Sequence, residues 1–253
     1  MVVGFAGATA FAVFAAEPQR PQPLKSGVEF TAESARKLQA DDFANPGMLW
    51  VERGSKLWSE AAGGGKSCAG CHGDAAKSMK GVAARYPRVD SGAGRVVNLE
   101  GRINLCRIRN QRGEPLAHES DGLLGLTAYV AHQSHGMPVA AAPDVQTRPE
   151  FGRGRELYHR RIGQMNLACT QCHDRNWGKK LGAETISQGH GNAYPAYRLE
   201  WQSAGSLARR IRACYYGLRA EMPEYGAQEL LDLEVYLAWR GSGLPVETPG
   251  VRR

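Results

Sequence analysis

The sequence predicts a mainly α-helical protein of two tandem domains related by an internal repeat. Three observations predict it. The pattern Cys-x-x-Cys-His occurs as Cys68–Cys71–His72 and again as Cys169–Cys172–His173. The residues around the two motifs recur in the same order. The apolar stripes have helical spacing, with Leu230, Leu233 and Leu237 on one face near the end of the chain.

The repeat runs well beyond the motifs. Gly54, Leu57 and Trp58 before the first correspond to Gly154, Leu157 and Tyr158 before the second. Tyr86-Pro87 corresponds to Tyr194-Pro195, and Cys106 and Cys214 each lie 20 residues after that tyrosine. Tyr129 and Pro138 then match Tyr236 and Pro245. A period of about 100 residues marks two copies of one small unit.

Each segment has its own signature. Residues 1–16 carry no charge and are rich in Ala, Val and Phe, the composition of a secretory signal peptide, with small residues at Ala15 and Ala16 for cleavage. Residues 17–46 begin Pro-rich and are assigned as an extended N-terminal arm. The two domains are placed at 47–139 and 150–253, joined by a linker at 140–149. No later stretch reaches about 18 apolar residues, so no membrane span is expected in the mature chain, and the location expected is periplasmic. The net charge of +7 raises nucleic-acid binding, but the basic residues are scattered in short runs. A basic surface of that kind suits a small anion or an acidic protein instead.

The spacing of Cys-x-x-Cys-His has a mechanical reason. Two thiols on one turn add to the two vinyl groups of a haem, and the adjacent imidazole meets the iron. Zinc bound by two Cys-x-x-Cys pairs needs them far closer in sequence, and a redox dithiol has no use for the fixed histidine. Two covalent c-type haems are therefore predicted, on Cys68 and Cys71 with His72, and on Cys169 and Cys172 with His173. The fold expected is two cytochrome c-like domains.

What fills the sixth position of each iron separates a carrier from a catalyst. Leu207, Ile211 and Cys214 share a helix face, so Cys214 points inward, and Cys106 occupies the equivalent place. Three readings of these cysteines stand together: iron ligands, a Cys106–Cys214 disulfide, or small buried apolar groups. Met222 competes with Cys214 for the second iron, whereas Met137 follows its last helix and does not. His118, His132, His135, His159 and His190 lack repeat partners and read as surface or satisfied side chains. Arg210 lies one helical turn before Cys214, where it would lower the thiol pKa and attract an anion. Arg102 sits equivalently beside Cys106, so a shared role at haem propionates accounts for both as well.

The tandem motifs, the segment "RIRACYYGLRAE" and the closing "VYLAWRGSGLPVE" resemble SoxA, the dihaem subunit of the SoxAX cytochromes of sulfur-oxidising bacteria. The resemblance spans about residues 30–247, and its most specific part is Cys-x-x-Gly-x-Arg-Ala-Glu. It implies that Cys106 and Cys214 are iron ligands opposite His72 and His173. It also implies that Cys214 reacts with sulfur substrates, often as a persulfide, with Arg210 and Arg240 beside it. The activity implied is that of an L-cysteine S-thiosulfotransferase. Thiosulfate would be joined oxidatively to a cysteine of the SoxYZ carrier, with electrons leaving through a SoxX cytochrome subunit to a soluble cytochrome c. A dihaem electron-transfer protein using Met222 and a dihaem peroxidase are the competing functions. One departure from the family pattern is Met222 itself, which stands between Arg-Ala-Glu and the proline.

Overall fold

The computed structural model describes residues 20–141 and 143–253. The predicted signal peptide, residues 1–16, lies outside them. The arm carries a helix, α1 (Glu33–Ala40). The first half follows with α2 (Met48–Ser59), α3 (Cys68–His72) and α4 (Ala75–Ser78). A hairpin of β1 (Arg88–Asp90) and β2 (Arg95–Val97) then leads into α5 (Leu99–Gln111) and α6 (Asp121–His132). The second half repeats the order with α7 (Arg148–His159) and α8 (Cys169–His173). It adds a small hairpin, β3 (Lys180–Leu181) with β4 (Glu184–Thr185). Next come β5 (Ala196–Arg198), β6 (Ser203–Gly205), α9 (Leu207–Gly217), α10 (Gln228–Arg240) and β7 (Gly250–Arg252).

The frame of each half is a crossed helix pair, α2 on α6 and α7 on α10. Glycine allows the crossing. A Cβ on Gly54 would sit 2.0 Å from the Gly125 carbonyl oxygen, and one on Gly154 would sit 2.0 Å from that of Asp232. Only a residue without a side chain lets the two backbones approach so closely. Beside the second crossing, Tyr158, Ile211, Tyr215, Leu230, Leu233, Tyr236 and Leu237 form the main core cluster, so the Leu230 stripe is buried as its spacing predicts. Trp58 takes the place of Tyr158 in the first half and packs with Ala75 and Val130.

Helix starts follow ordinary capping. The Asn98 side chain accepts from the Gly101 N–H at the head of α5, and the Ser206 hydroxyl accepts from the Arg209 N–H at the head of α9. The short strands that precede these helices have no strong apolar alternation and were not legible as strands. β7 pairs parallel with β5, which makes a sheet of order β6-β5-β7.

The halves meet at the matching segments 136–139 and 243–246. The Gly136 N–H donates to the Val246 carbonyl at 2.9 Å, and the Gly243 N–H donates to the Val139 carbonyl at 2.9 Å. Val139 and Val246 then donate to Leu244 and Met137, each at 2.8 Å. These bonds exchange when repeat partners are exchanged, so the contact has local two-fold character. Beneath it lies a cavity of about 130 Å³ lined by Tyr86 with Tyr194 and by Leu99 with Leu207. Glu100 and Glu234 border it. Burial, then the charges of Glu234 and Glu119, push the Glu100 carboxyl well up, and burial pushes Glu234 up to about 7 despite a hydrogen bond from Asn98.

Two boundaries differ from expectation. The arm is not extended throughout, since α1 forms within it and its residues dock on the second half. Gln39 accepts from the Val251 N–H at 3.0 Å, and Asn45 donates to the Pro249 carbonyl at 2.9 Å. The linker is shorter, because Asp144 organises a turn by accepting from the Gln146 and Thr147 N–H groups, and α7 begins at Arg148. No helix among the described residues is long and apolar enough to cross a membrane.

Candidate haem and sulfur site

Each motif forms one short helix, so both thiols and the imidazole leave from a single turn. In the first half, Cys68, Cys71, His72 and Cys106 line one cleft of about 420 Å³. Gln111 donates to the Cys68 sulfur at 3.6 Å, and Asn110 approaches that of Cys106 at 3.5 Å. The His72 ring lies against Trp58, with centroids 5.8 Å apart.

In the second half the imidazole is fixed from behind. The His173 Nδ1–H donates to the Ser187 carbonyl at 2.8 Å, which leaves Nε2 as the ligating nitrogen. Gly189, at φ 74°, lets the loop close on the ring, since a Cβ there would be 2.8 Å from the His173 Cγ. On the other side, the Cys214 thiol is hydrogen-bonded to His173. α8 supplies the histidine of this contact and α9 the cysteine.

Electrostatics single out Cys214. Burial works to raise its pKa, but the Arg210 charge, the His173 hydrogen bond and the Arg198 charge overcome it and bring the thiol down to about 7. The neighbouring motif thiols move the other way. Burial, then the Cys214 charge, pushes Cys169 up to about 12 and raises Cys172. Arg210 is itself held more firmly charged, chiefly by Cys214. The carboxylates that act on it, Glu184 and Glu200, are instead paired with Arg198 at 3.3 and 2.7 Å.

The first half is wired differently. Arg102, the counterpart of Arg210, forms an ion pair with Asp90, which also holds Arg109 at 3.0 Å. Hydrogen bonding from Arg109 leads the causes that keep the Asp90 carboxyl below the usual range. The residue equivalent to Asp90 in the second half is Arg198. One position therefore carries opposite charges in the two copies. Arg102 is drawn to a carboxylate, whereas Arg210 is left facing sulfur.

Placement bears on the other residues singled out from the sequence. All six cysteines are free, so there is no Cys106–Cys214 disulfide. Met222 is 39% exposed, and the group opposite His173 is Cys214. Arg240 is fully buried, where it donates to Asp174 at 2.6 Å and to the Gln188 carbonyl at 3.4 Å, the residues that directly follow His173 and Ser187. His190 is not at the surface either. It is 7% exposed, its Nε2 bonds Gln188 at 3.1 Å, and burial, then Arg240 and His173, push its pKa down to about 3. Arg198, Ser187 and Gly189 were missed. The "SQGHG" stretch, with two glycines around a polar turn after the motif, is a sequence signal that could have marked that loop.

These residues fit a covalently attached haem. The thiols are free and share one turn, the His173 tautomer is set for ligation, and a cysteine stands on the open side. Crossed terminal helices around such a site define a c-type cytochrome, with haem bound covalently. The model for the SoxA/TsdA cytochrome c domain matches residues 53–139 and 153–246, and the chain belongs to this family. It is 46% identical to the L-cysteine S-thiosulfotransferase subunit SoxA of Pseudaminobacter salicylatoxidans over 230 residues, covering 90% of this chain and 80% of that protein. The SoxA subunit of Paracoccus pantotrophus is 37% identical over 90% of this chain and 79% of its own. Among solved structures, SoxXA from P. pantotrophus matches with a TM-score of 0.87 at 35% identity, covering 91% of this chain and 87% of that one.

Proposed function

We propose that the chain is the sulfur-handling subunit of an L-cysteine S-thiosulfotransferase, built from two copies of one cytochrome c domain with a haem on each motif. The copies span 47–139 and 150–253. Cys106 with His72, and Cys214 with His173, would hold the two irons, and the second copy carries catalysis. The observation that carries this reading is the Cys214 thiol, brought down to about 7 beside His173 and an Arg210 that no carboxylate claims among the described ion pairs.

The reaction joins a carrier cysteine to thiosulfate as a disulfide, releasing the thiol proton and two electrons. When bound, haem supplies an electron acceptor next to the reacting sulfur. The protein's own groups do the rest. Arg210 draws in the thiosulfate dianion and holds it near Cys214. Arg198, braced by Glu184 and Glu200 and stacked 5.0 Å over Trp201, keeps the surroundings of Cys214 positive without neutralising Arg210. The His173 tether to Ser187 fixes the imidazole, so the sulfur on the other side keeps one position.

The partners proposed are a SoxX-type cytochrome, a SoxYZ-type carrier and a soluble cytochrome c as final acceptor, all in the periplasm. The basic net charge of +7 suits the anionic substrate. The test is reconstitution with a SoxX subunit, carrier and thiosulfate, read as the mass gain of the carrier. Intact mass of the purified chain counts haems in the same experiment. A carrier that gains no thiosulfate from a two-haem preparation overturns the activity.

A further inference from the structure

We propose that Arg240 and Asp174 form a charge pair that sets the reduction potential of the C-terminal haem, with Arg240 acting as a positioning residue behind His173. The proposal rests on the reading that Cys169 and Cys172 carry a haem.

Arg240 is the largest fully buried side chain of the molecule among the described residues. Its guanidinium lies 4.4 Å over the Tyr158 ring, donates to Asp174, and reaches the Gln188 carbonyl. The Tyr158 hydroxyl donates to the same Asp174 oxygen at 3.0 Å. The Arg240 Nε and Nη1 have no partner. A buried guanidinium with unspent donors is costly, so its placement calls for a role beyond filling space.

Its neighbours define that role. Asp174 follows His173 directly, and Gln188 follows Ser187, whose carbonyl holds the His173 Nδ1–H. Arg240 thus clasps both chain segments that meet at the imidazole. In low dielectric, a charge here acts strongly on an iron that differs by one unit between oxidised and reduced states. The guanidinium favours the reduced state and the carboxylate favours the oxidised one. The first half lacks the pair altogether. Its equivalents are Gln133, which donates to the Tyr129 carbonyl at 2.9 Å, and Gly73, whose carbonyl accepts from the Trp58 Nε1–H at 3.0 Å.

The test is spectroelectrochemical titration of the intact holoprotein. Arg240→Met should lower the potential of the C-terminal haem, Asp174→Asn should raise it, and Arg240→Lys should leave it near the starting value. The N-terminal haem should stay constant in all three. Loss of packing alone would move the Arg240→Met and Asp174→Asn variants in the same direction. Shifts of one sign, no shift, or equal shifts in both haems overturn the proposal. If Arg240→Met fails to fold, Asp174→Asn and Arg240→Lys still decide it. Peptide mass locating haem only on Cys68 and Cys71 would instead overturn the two-haem reading beneath it.

Discussion

Asp90 and Arg198 hold the same place in the two halves, three residues past the landmark proline at the end of β1 and of β5, and they carry opposite charges. The helices that follow keep an arginine four residues before a cysteine in both. In the first half the carboxylate takes that arginine away in an ion pair. In the second, a cation stands where the carboxylate was, and Arg210 acts on Cys214. The same cysteine, histidine and arginine are thus placed in opposite electrostatic surroundings, according to the charge of one residue on the preceding strand. The comparison also separates two accounts of Arg102 and Arg210 that their sequence positions leave equal.

The largest expected effect falls on the cysteines. Cys214→Ala should abolish thiosulfate conjugation, a loss of at least about 1,000-fold, while both haems remain attached through their motif thiols. Cys106→Ala should alter the spectrum of the first haem and keep activity within about threefold. Side-by-side turnover of the two variants decides which half is catalytic, and a dead Cys106 variant beside a working Cys214 variant reverses the assignment.

Next come the glycine crossings, where the halves should behave alike. Gly54→Ala and Gly154→Ala each force a methyl onto a backbone carbonyl and should cost about 3 kcal/mol or more by thermal or denaturant unfolding. A mild effect at one crossing only would mean that the two helix pairs are not equivalent.

Arginine substitution sharpens the charge contrast. Arg210→Gln should reduce kcat/KM for thiosulfate about 10- to 100-fold, the scale of a lost charge-assisted contact of about 1.5–3 kcal/mol. Arg102→Gln should change it by less than about threefold and instead lower stability slightly by releasing one partner of Asp90. Equal losses from the two variants would return both arginines to a shared structural role.

The smallest effect concerns the cavity between the halves. The folded-state pKa of Glu234 is raised, from 4.5 to about 7. Its protonated form is favoured by folding, so this stability is complete below about pH 4.5 and is lost as pH rises through about 7. Glu234→Gln should therefore raise the melting temperature at pH 8 by a few degrees, consistent with about 1–2 kcal/mol, and do little at pH 4.5. Its counterpart Thr127 bonds the Leu123 carbonyl and offers no such titration. A pH-independent gain would mean that the carboxyl is not the cause.

Much of this was legible because the chemistry is local in sequence. Haem attachment needs two thiols and an imidazole on one turn, so Cys68, Cys71 and His72 declare themselves, as do their counterparts. Equal spacing from Tyr86 to Cys106 and from Tyr194 to Cys214 carried the repeat and pointed at the ligand pair. The rest depends on contacts across long separations. Arg198 reaches Cys214 only after β5 joins the sheet, and Ser187 meets His173 because Gly189 turns the loop onto the ring. Arg240 shows the limit most directly: its place in α10 is plain in the sequence, but its contacts with Asp174, Gln188 and Tyr158 join segments far apart in the chain.

The N-terminal arm has a consequence for the order of folding. The Gln188 side chain accepts from the Lys25 N–H at 2.8 Å and donates to the Pro23 carbonyl at 2.9 Å, closing a loop of more than 160 residues onto the segment that holds His173. Closures of such length are slow, since the chain entropy they cost is recovered only when the distant surface already exists. The N-terminal half and its crossing can form from nearby residues as the chain emerges. The half that carries Cys214 must wait for β7 to lie beside β5 and for the arm to come back across it. The arm and β7 thus close around the same His173 segment from opposite ends of a long stretch of chain, and that segment is complete only when both closures have formed.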